Sequence, residues 1–108
     1  MHAVIFEVWP KAGCREAYLD IATTLKAELM QIDGFISVER FASLTEEGKM
    51  LSLSFWRDED AVKRWRRHAE HQAAQGRGRY ELFANYRLRV ASVLRDYGPI
   101  ERAEAPQP

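Results

Sequence analysis

Apolar residues along the chain follow two spacings, one typical of strands and the other typical of helices. Four segments are rich in β-branched and aromatic residues or alternate between apolar and polar positions, which predicts strands. Two segments repeat apolar residues every three or four positions, which predicts helices. In chain order, the predicted elements are a strand over Ala3–Trp9, a helix over Cys14–Ile32, strands over Phe35–Leu44 and Lys49–Trp56, a helix over Asp58–Ala74 and a strand over Leu82–Arg95.

Turn and cap residues stand between these segments. Pro10 ends the first strand, and Gly34 follows the first helix as a candidate C-cap. Gly48 closes a hairpin loop, where a glycine allows a positive φ. Asp58 is a candidate N-cap of the second helix. The turn and cap residues therefore lie at the ends of the strands and helices that the spacing of apolar residues predicts.

The order β-α-β-β-α-β predicts an α+β, ferredoxin-like fold. A four-stranded antiparallel sheet then carries two helices on one face. We expect one domain over residues 1–98, followed by a tail over residues 99–108 that is mobile or lies on a partner.

Both alternating sets of strand residues contain large apolar groups, although the helices can cover only one face of the sheet. In the third strand, Met50 and Trp56 alternate with Leu51, Leu53 and Phe55. In the second strand, simple alternation groups Phe35 with Phe41 and sets them against Ile36, Val38 and Leu44. An uncovered apolar face predicts a homodimer that packs sheet against sheet as an α/β barrel. The alternative is a monomer whose outer face is polar enough for water.

Charge and composition exclude several partners. Lys and Arg number 16, as do Asp and Glu, so no net field attracts nucleic acid or an anionic membrane surface. No apolar run is long enough to span a bilayer, and the N-terminus does not resemble a signal peptide. The single cysteine, Cys14, cannot form an internal disulfide. We therefore expect a cytoplasmic protein that binds neither nucleic acid nor membrane.

Candidate site residues are concentrated in the second helix. Helical spacing places Ala61, Trp65, either His68 or Ala69, and Gln72 along one stripe. If the helix continues far enough, His68, His71 and Gln75 form an adjacent stripe. Such a stripe suits the edge of a pocket in which an aromatic ring holds a flat ligand and a histidine moves protons. The alternative is that Trp65 anchors the core and the histidines are surface groups. The two histidines lack a third ligand, so we predict no metal site.

Arginines before and along the last strand provide a second set of candidates. Arg77, Arg79 or Arg89 is a candidate partner for a carboxylate or phenolate of a ligand, and Tyr86 on the last strand is a further candidate contact. Acidic residues are interleaved with the arginines, and the strands lack the stacking aromatic motif of RNA-binding domains. A solvated surface with ion pairs explains the arginine cluster equally well.

Several short stretches together resemble the antibiotic biosynthesis monooxygenase superfamily, in particular its small stand-alone members. They are Phe55–Glu59 leading to Trp65, Glu70-His71 with Ala74-Gln75, Gly78-Arg79, and Tyr86–Ala91 leading to Arg95–Gly98. The resemblance implies a dimeric α/β barrel with a pocket in each subunit. It also implies oxidation of a small aromatic (a phenol, anthrone or quinol) by O₂ without a cofactor.

In this comparison Trp65 matches a pocket tryptophan, and His68 or His71 takes the place of the base. One branch of the superfamily degrades haem, but the first strand here lacks that branch's asparagine, so we do not expect that reaction. Three hypotheses remain: a cofactor-independent monooxygenase, a non-catalytic binding or stress-associated accessory protein, and a dimer whose histidines and arginines are structural.

Overall fold

The element order in the structure is the one that the sequence predicts. The computed structural model describes the backbone of residues 1–74 and 79–107 and the side chains of residues 1–69 and 81–107. Its elements are β1 His2–Pro10, α1 Arg15–Leu29, β2 Phe35–Ala42, β3 Met50–Trp56, α2 Glu59–Ala74 and β4 Phe83–Ser92, with a short 3₁₀ helix over Arg79–Leu82 before β4.

All strand pairs are antiparallel, and the sheet has the order β2-β3-β1-β4. This is the predicted ferredoxin-like arrangement, which confirms the fold class. β4 is shorter than predicted because β1, its only neighbour in the sheet, begins at His2. His2 pairs with Ser92, and the Val93 amide then donates to the Met1 carbonyl. Beyond this point no strand of the described sheet remains for β4 to pair with.

Directly paired residues of an antiparallel sheet share a face. The helix-covered face of β1 carries Val4, Phe6 and Val8, all buried. We call the other face of the sheet the open face. There Leu53 of β3 pairs with Ile5 of β1 and with Glu39 of β2. The alternation predicted for β3 is therefore correct.

A bulge in β2 corrects the prediction that Phe35 and Phe41 share a face. The register shifts between Phe35 and Ser37. Phe35 pairs with Trp56 and packs on its ring at 5.3 Å between centroids, on the helix-covered face. Phe41 pairs with Leu51 on the open face. One extra residue in a strand moves every later side chain of that strand to the opposite face of the sheet.

The connections at the start of α2 are tight. Asp58 is the predicted N-cap, and its carboxylate accepts a hydrogen bond from the Ala61 amide at 2.8 Å. Gly34 has φ +92°, and a side chain there would place its Cβ 2.6 Å from the Cβ of Ala61. Helix α1 has already ended at Leu29, with Met30 as its C-cap, so Gly34 is not the cap that the sequence predicts.

An exposed ionic cluster joins the same two connections. Arg57 donates from both Nη atoms to the Asp33 carboxylate, at 3.1 and 3.0 Å, and from Nε to Asp58 at 3.0 Å. Hydrogen bonds from this guanidinium, together with its charge, hold the pKa values of both Asp33 and Asp58 below the usual value. The cluster ties the loop before α2 to the loop after α1.

Two groups of buried residues form the core between helices and sheet. One surrounds Trp56 and the other surrounds Val8, and both side chains are 0% exposed. Tyr18 of α1 packs on Phe83 at the start of β4, with the ring centroids 5.4 Å apart. Further along the strand, Tyr86, Leu88 and Val90 are 48%, 51% and 47% exposed although they share a face with Phe6. In the described part of the chain, neither helix is long and apolar enough to cross a bilayer.

Candidate functional site

A cavity lies between the helices and the sheet, where the two core clusters meet. Its volume is about 40 Å³. That is enough for water but well below the roughly 300–1,000 Å³ typical of small-molecule sites. The lining combines apolar residues from β1, α1 and α2 with a polar strip from β2 and β3. The cavity joins both helices to the sheet, so we take it as the candidate site.

Two tryptophans form one wall of the cavity. Trp65 of α2 lies over Trp56 of β3 with the ring centroids 6.5 Å apart and the planes 25° from parallel. The indole N–H of Trp56 donates to the Ser54 hydroxyl at 2.9 Å, which satisfies this buried polar group. Trp65 also packs against the cluster around Trp56. The structure thus places Trp65 both in the cavity wall and against the core.

The polar strip of the cavity contains Arg40, Ser52 and Ser54. Arg40 pairs with Ser52 across β2 and β3, so both face the helices. The Arg40 Nε is buried and has no hydrogen-bond partner. Our sequence reasoning missed Arg40. The available signal was a charged residue at an alternating position between Val38 and Ala42.

His68 lies one helical turn beyond Trp65, with its ring centroid 5.7 Å from the Trp65 ring. Its Nε2 is 3.5 Å from the carboxylate of Glu28 on α1. The His68 side chain is 40% exposed and does not line the cavity. The arrangement is a carboxylate–histidine pair bridging the two helices beside the tryptophan wall. A carboxylate at this distance can orient the imidazole, which is the side chain most often used to move protons.

Tyr86 and Arg89 lie on opposite faces of β4. The Tyr86 ring packs edge-on against Phe6 at 5.7 Å, on the helix-covered side, but does not line the cavity. Arg89 pairs with Ile5 on the open face, and its Nη1 is 3.4 Å from the Glu7 carboxylate. The structure therefore does not bring Arg89 together with Trp65 and His68, and its binding role stays a prediction.

Five candidates lie outside the side chains that the structure describes. They are His71 and Gln72 within α2, Arg79 in the short 3₁₀ helix, and Gln75 and Arg77, whose backbone also lies outside the described residues. Among the side chains that are described, no three His, Cys, Asp or Glu residues are grouped so that they could hold a metal ion. Cys14 is a free, half-buried thiol.

Residues 1–77 match the family model described as antibiotic biosynthesis monooxygenase. The chain therefore belongs to the antibiotic biosynthesis monooxygenase family. It is 50% identical over 93 residues to jasmonate monooxygenase ABM of Pyricularia oryzae, which covers 86% of this chain but 43% of that protein. The chain thus spans less than half the length of this relative.

Two further proteins are similar to this chain, one in sequence and one in fold. The chain is 40% identical over 94 residues to the uncharacterized protein YqjZ of Bacillus subtilis, covering 87% of this chain and 80% of YqjZ. The solved structure of Rv0793 from Mycobacterium tuberculosis superimposes with a TM-score of 0.74 at 19% identity, over 90% of this chain and 98% of that one. At such an identity the likeness shows the fold alone.

Proposed function

We propose that this chain is a cofactor-independent monooxygenase that oxidises a small ring compound with O₂ in the cavity beside Trp65. The observation that carries the proposal is the His68–Glu28 pair next to two stacked tryptophans. Flat aromatic walls hold a ring, and a histidine held by a carboxylate is suited to general base catalysis. Membership of a monooxygenase family supports the same reaction class.

The proposed chemistry resides in the substrate and needs the protein to move protons. His68 removes a proton from an activated CH₂ group, and the carbanion gives one electron to O₂. The resulting substrate radical and superoxide combine to form a C–O bond, and the proton returned by His68 completes a hydroperoxide. Loss of the second C–H proton and cleavage of the O–O bond release water, so that CH₂ and O₂ become C=O and H₂O. Base catalysis by one residue contributes typically about 10²–10⁴ in rate.

The small volume of the cavity has a consequence for this mechanism. A ring compound does not fit into about 40 Å³, so it must displace side chains as it enters. Trp65 is half-buried, unlike Trp56, and lies on the helix rather than in the sheet. We propose that movement of Trp65 admits the substrate and brings the ring within reach of His68. Gln72, Gln75 and Tyr86 remain proposed substrate contacts, and His71 remains the second proposed base.

The proposed working unit is a homodimer formed through the open face. The centre of this face is apolar, with Ile5, Leu51, Leu53 and Phe55 on the two middle strands. Glu39 and Arg89 lie on the outer strands, and Glu7 lies towards one end of β1, where it pairs with Arg89 and Lys49. An apolar centre with a polar rim is the usual composition of a protein interface.

The tail is proposed to lie on the partner subunit. Ile100 of the tail is 91% exposed within one chain, and Leu94, a few residues before the tail, is 81% exposed. The proposed location is the cytoplasm, where the Cys14 thiol stays reduced.

Oxygen uptake by purified protein in the presence of a chelator tests the proposed reaction. The substrates are anthrone, a hydroquinone series and jasmonic acid, the last because of the relative named for it. We expect uptake with at least one compound, and we expect His68→Ala with His71→Ala to reduce it about 100-fold or more. His2→Gln, on β1, is the matched histidine control. Saturable binding without oxygen uptake would favour the non-catalytic alternative.

A further inference from the structure

We propose that Arg40 is the anion-binding residue of the cavity, and that the ligand is a small apolar molecule carrying one carboxylate. This deepens the proposed function, because it assigns a substrate class to the same cavity. The starting point is the position of Arg40. It is a charged side chain on the helix-covered face of β2, opposite Ser52, where the residues two positions away are Val38 and Ala42.

Arg40 has no hydrogen-bond or ion-pair partner among the residues that the structure describes. Its Nε is buried without a hydrogen bond, and no described side chain forms an ion pair with it. Arg64 also has an unpaired Nε, but its Nη2 lies 3.6 Å from the Asp33 carboxylate. A buried polar group without a partner costs about 1–3 kcal/mol, and more if it is charged. An anionic ligand would remove that cost.

The lining of the cavity specifies the rest of the ligand. Arg40, Ser52 and Ser54 form a single polar strip. Leu25 and Leu29 of α1 and Trp65 of α2 provide apolar surface in the same cavity. A carboxylate fits the strip, since a guanidinium binds it through two parallel hydrogen bonds and a serine hydroxyl can donate a third. The apolar body would then lie against the leucines and Trp65.

Matched pairs of neutral and anionic probes test the inference. The probes are cyclopentylacetic acid with its amide, and 1-naphthylacetic acid with its amide. Binding is measured by calorimetry and by tryptophan fluorescence, because two of the three tryptophans line the cavity. We expect at least one acid to bind about tenfold or more tightly than its amide, the difference that one charge-assisted contact provides. Equal affinity for acid and amide in both pairs would overturn the inference.

Substitutions assign the preference to Arg40. Arg40→Gln should abolish the preference for the acid, and Arg40→Lys should keep part of it because the charge remains without the planar fork. Arg66→Gln, an exposed arginine of α2, is the control and should leave the preference unchanged. An acid preference that survives Arg40→Gln would contradict the inference.

Stability gives a second readout that does not depend on finding a good ligand. Without ligand, Arg40→Met should unfold at the same or a higher urea concentration than the parent, because it removes a buried group that has no partner. A clear loss of stability in Arg40→Met would show that Arg40 has a structural partner and would also contradict the inference.

The two proposals can fail separately. Arg40-dependent binding of an acid without oxygen uptake from any substrate would reject the monooxygenase reaction and keep the anion site. Oxygen uptake with a neutral substrate, at a rate unaffected by Arg40→Gln, would reject the anion site and keep the monooxygenase reaction.

Discussion

The two faces of the sheet differ in whether their arginines have ion-pair partners. On the open face, Arg89 lies 3.4 Å from Glu7, and Lys49 lies 3.6 Å from the same glutamate. On the helix-covered face, Arg40 has a buried Nε and no partner among the described side chains. Paired surface charges contribute little to stability, whereas an unpaired buried one is costly. The comparison shows that the face with the packed core also contains the unsatisfied group.

The packed core and the cavity also differ in how well their polar groups are satisfied. Trp56, Val8 and their neighbours satisfy the requirements of a core, with apolar packing and a hydrogen bond for the buried indole. Among the described residues, three buried side-chain nitrogens have no hydrogen-bond partner, and only the one on Arg40 belongs to a residue that lines the cavity. Departures from good packing are expected at binding sites, because a binding site must leave groups unsatisfied until the ligand arrives.

The largest expected effect tests which face holds the fold together. Trp56→Ala should lower the free energy of unfolding by about 3–5 kcal/mol, since this fully buried indole packs against Phe35 and Trp65. Urea denaturation followed by circular dichroism measures the change. Trp9→Ala is the matched control on the other side of the sheet, where the indole is half-buried and contacts Glu46 and Lys49. Its loss should cost about 1 kcal/mol. Equal losses for both variants would contradict the comparison.

A smaller effect is expected from a charge at the centre of the open face. Leu53→Glu should weaken the proposed dimer about tenfold or more, because a carboxylate would be buried in an apolar interface, while the fold of each subunit is retained. Sedimentation velocity over a concentration series measures the association. Met30→Glu, a 64%-exposed position at the end of α1, is the control and should leave the dimer intact. A parent protein that is monomeric at all concentrations would reject the dimer.

The smallest effect concerns the ionic cluster beside α2. The pKa values of Asp33 and Asp58 are lowered in the folded protein by Arg57. Their contribution to stability is therefore complete above their unfolded pKa of about 3.9 and is lost as the pH falls through the lower folded values. Arg57→Gln should reduce the loss of stability between pH 5 and pH 2, as measured by urea midpoints. An unchanged acid profile would show that the cluster does not contribute.

The spacing of apolar residues was sufficient to predict the fold, because each element has its own period and its own end signals. Asp58 as a cap and Gly48 in the hairpin are both where the sequence places them, the glycine at φ +82°. The differences between the predicted and the observed elements are local. Ser92 ends β4 because β1 offers no further partner, and that depends on pairing between segments far apart in the chain.

The site was only partly predictable. Helical spacing correctly placed Trp65 and His68 near each other, since residues three apart in a helix are neighbours. Alternation groups Arg40 with Val38 and Ala42, but it does not say which of the two alternating sets faces the helices. The pairing of Arg40 with Ser52 across β2 and β3 decides that, so Arg40 was missed. Arg89 is on the face away from the cavity because of its register with Ile5, which only the folded sheet defines.

The edge position of β4 offers another explanation for the arginines of that strand. β4 is ten residues long, is the outermost strand on its side of the sheet, and carries the half-exposed Tyr86, Leu88 and Val90. Long apolar edge strands template aggregation, and natural proteins protect them with charged side chains. Arg87 and Arg89 alternate with these apolar residues along the strand. Evolution can therefore retain them for solubility alone, whatever the protein binds.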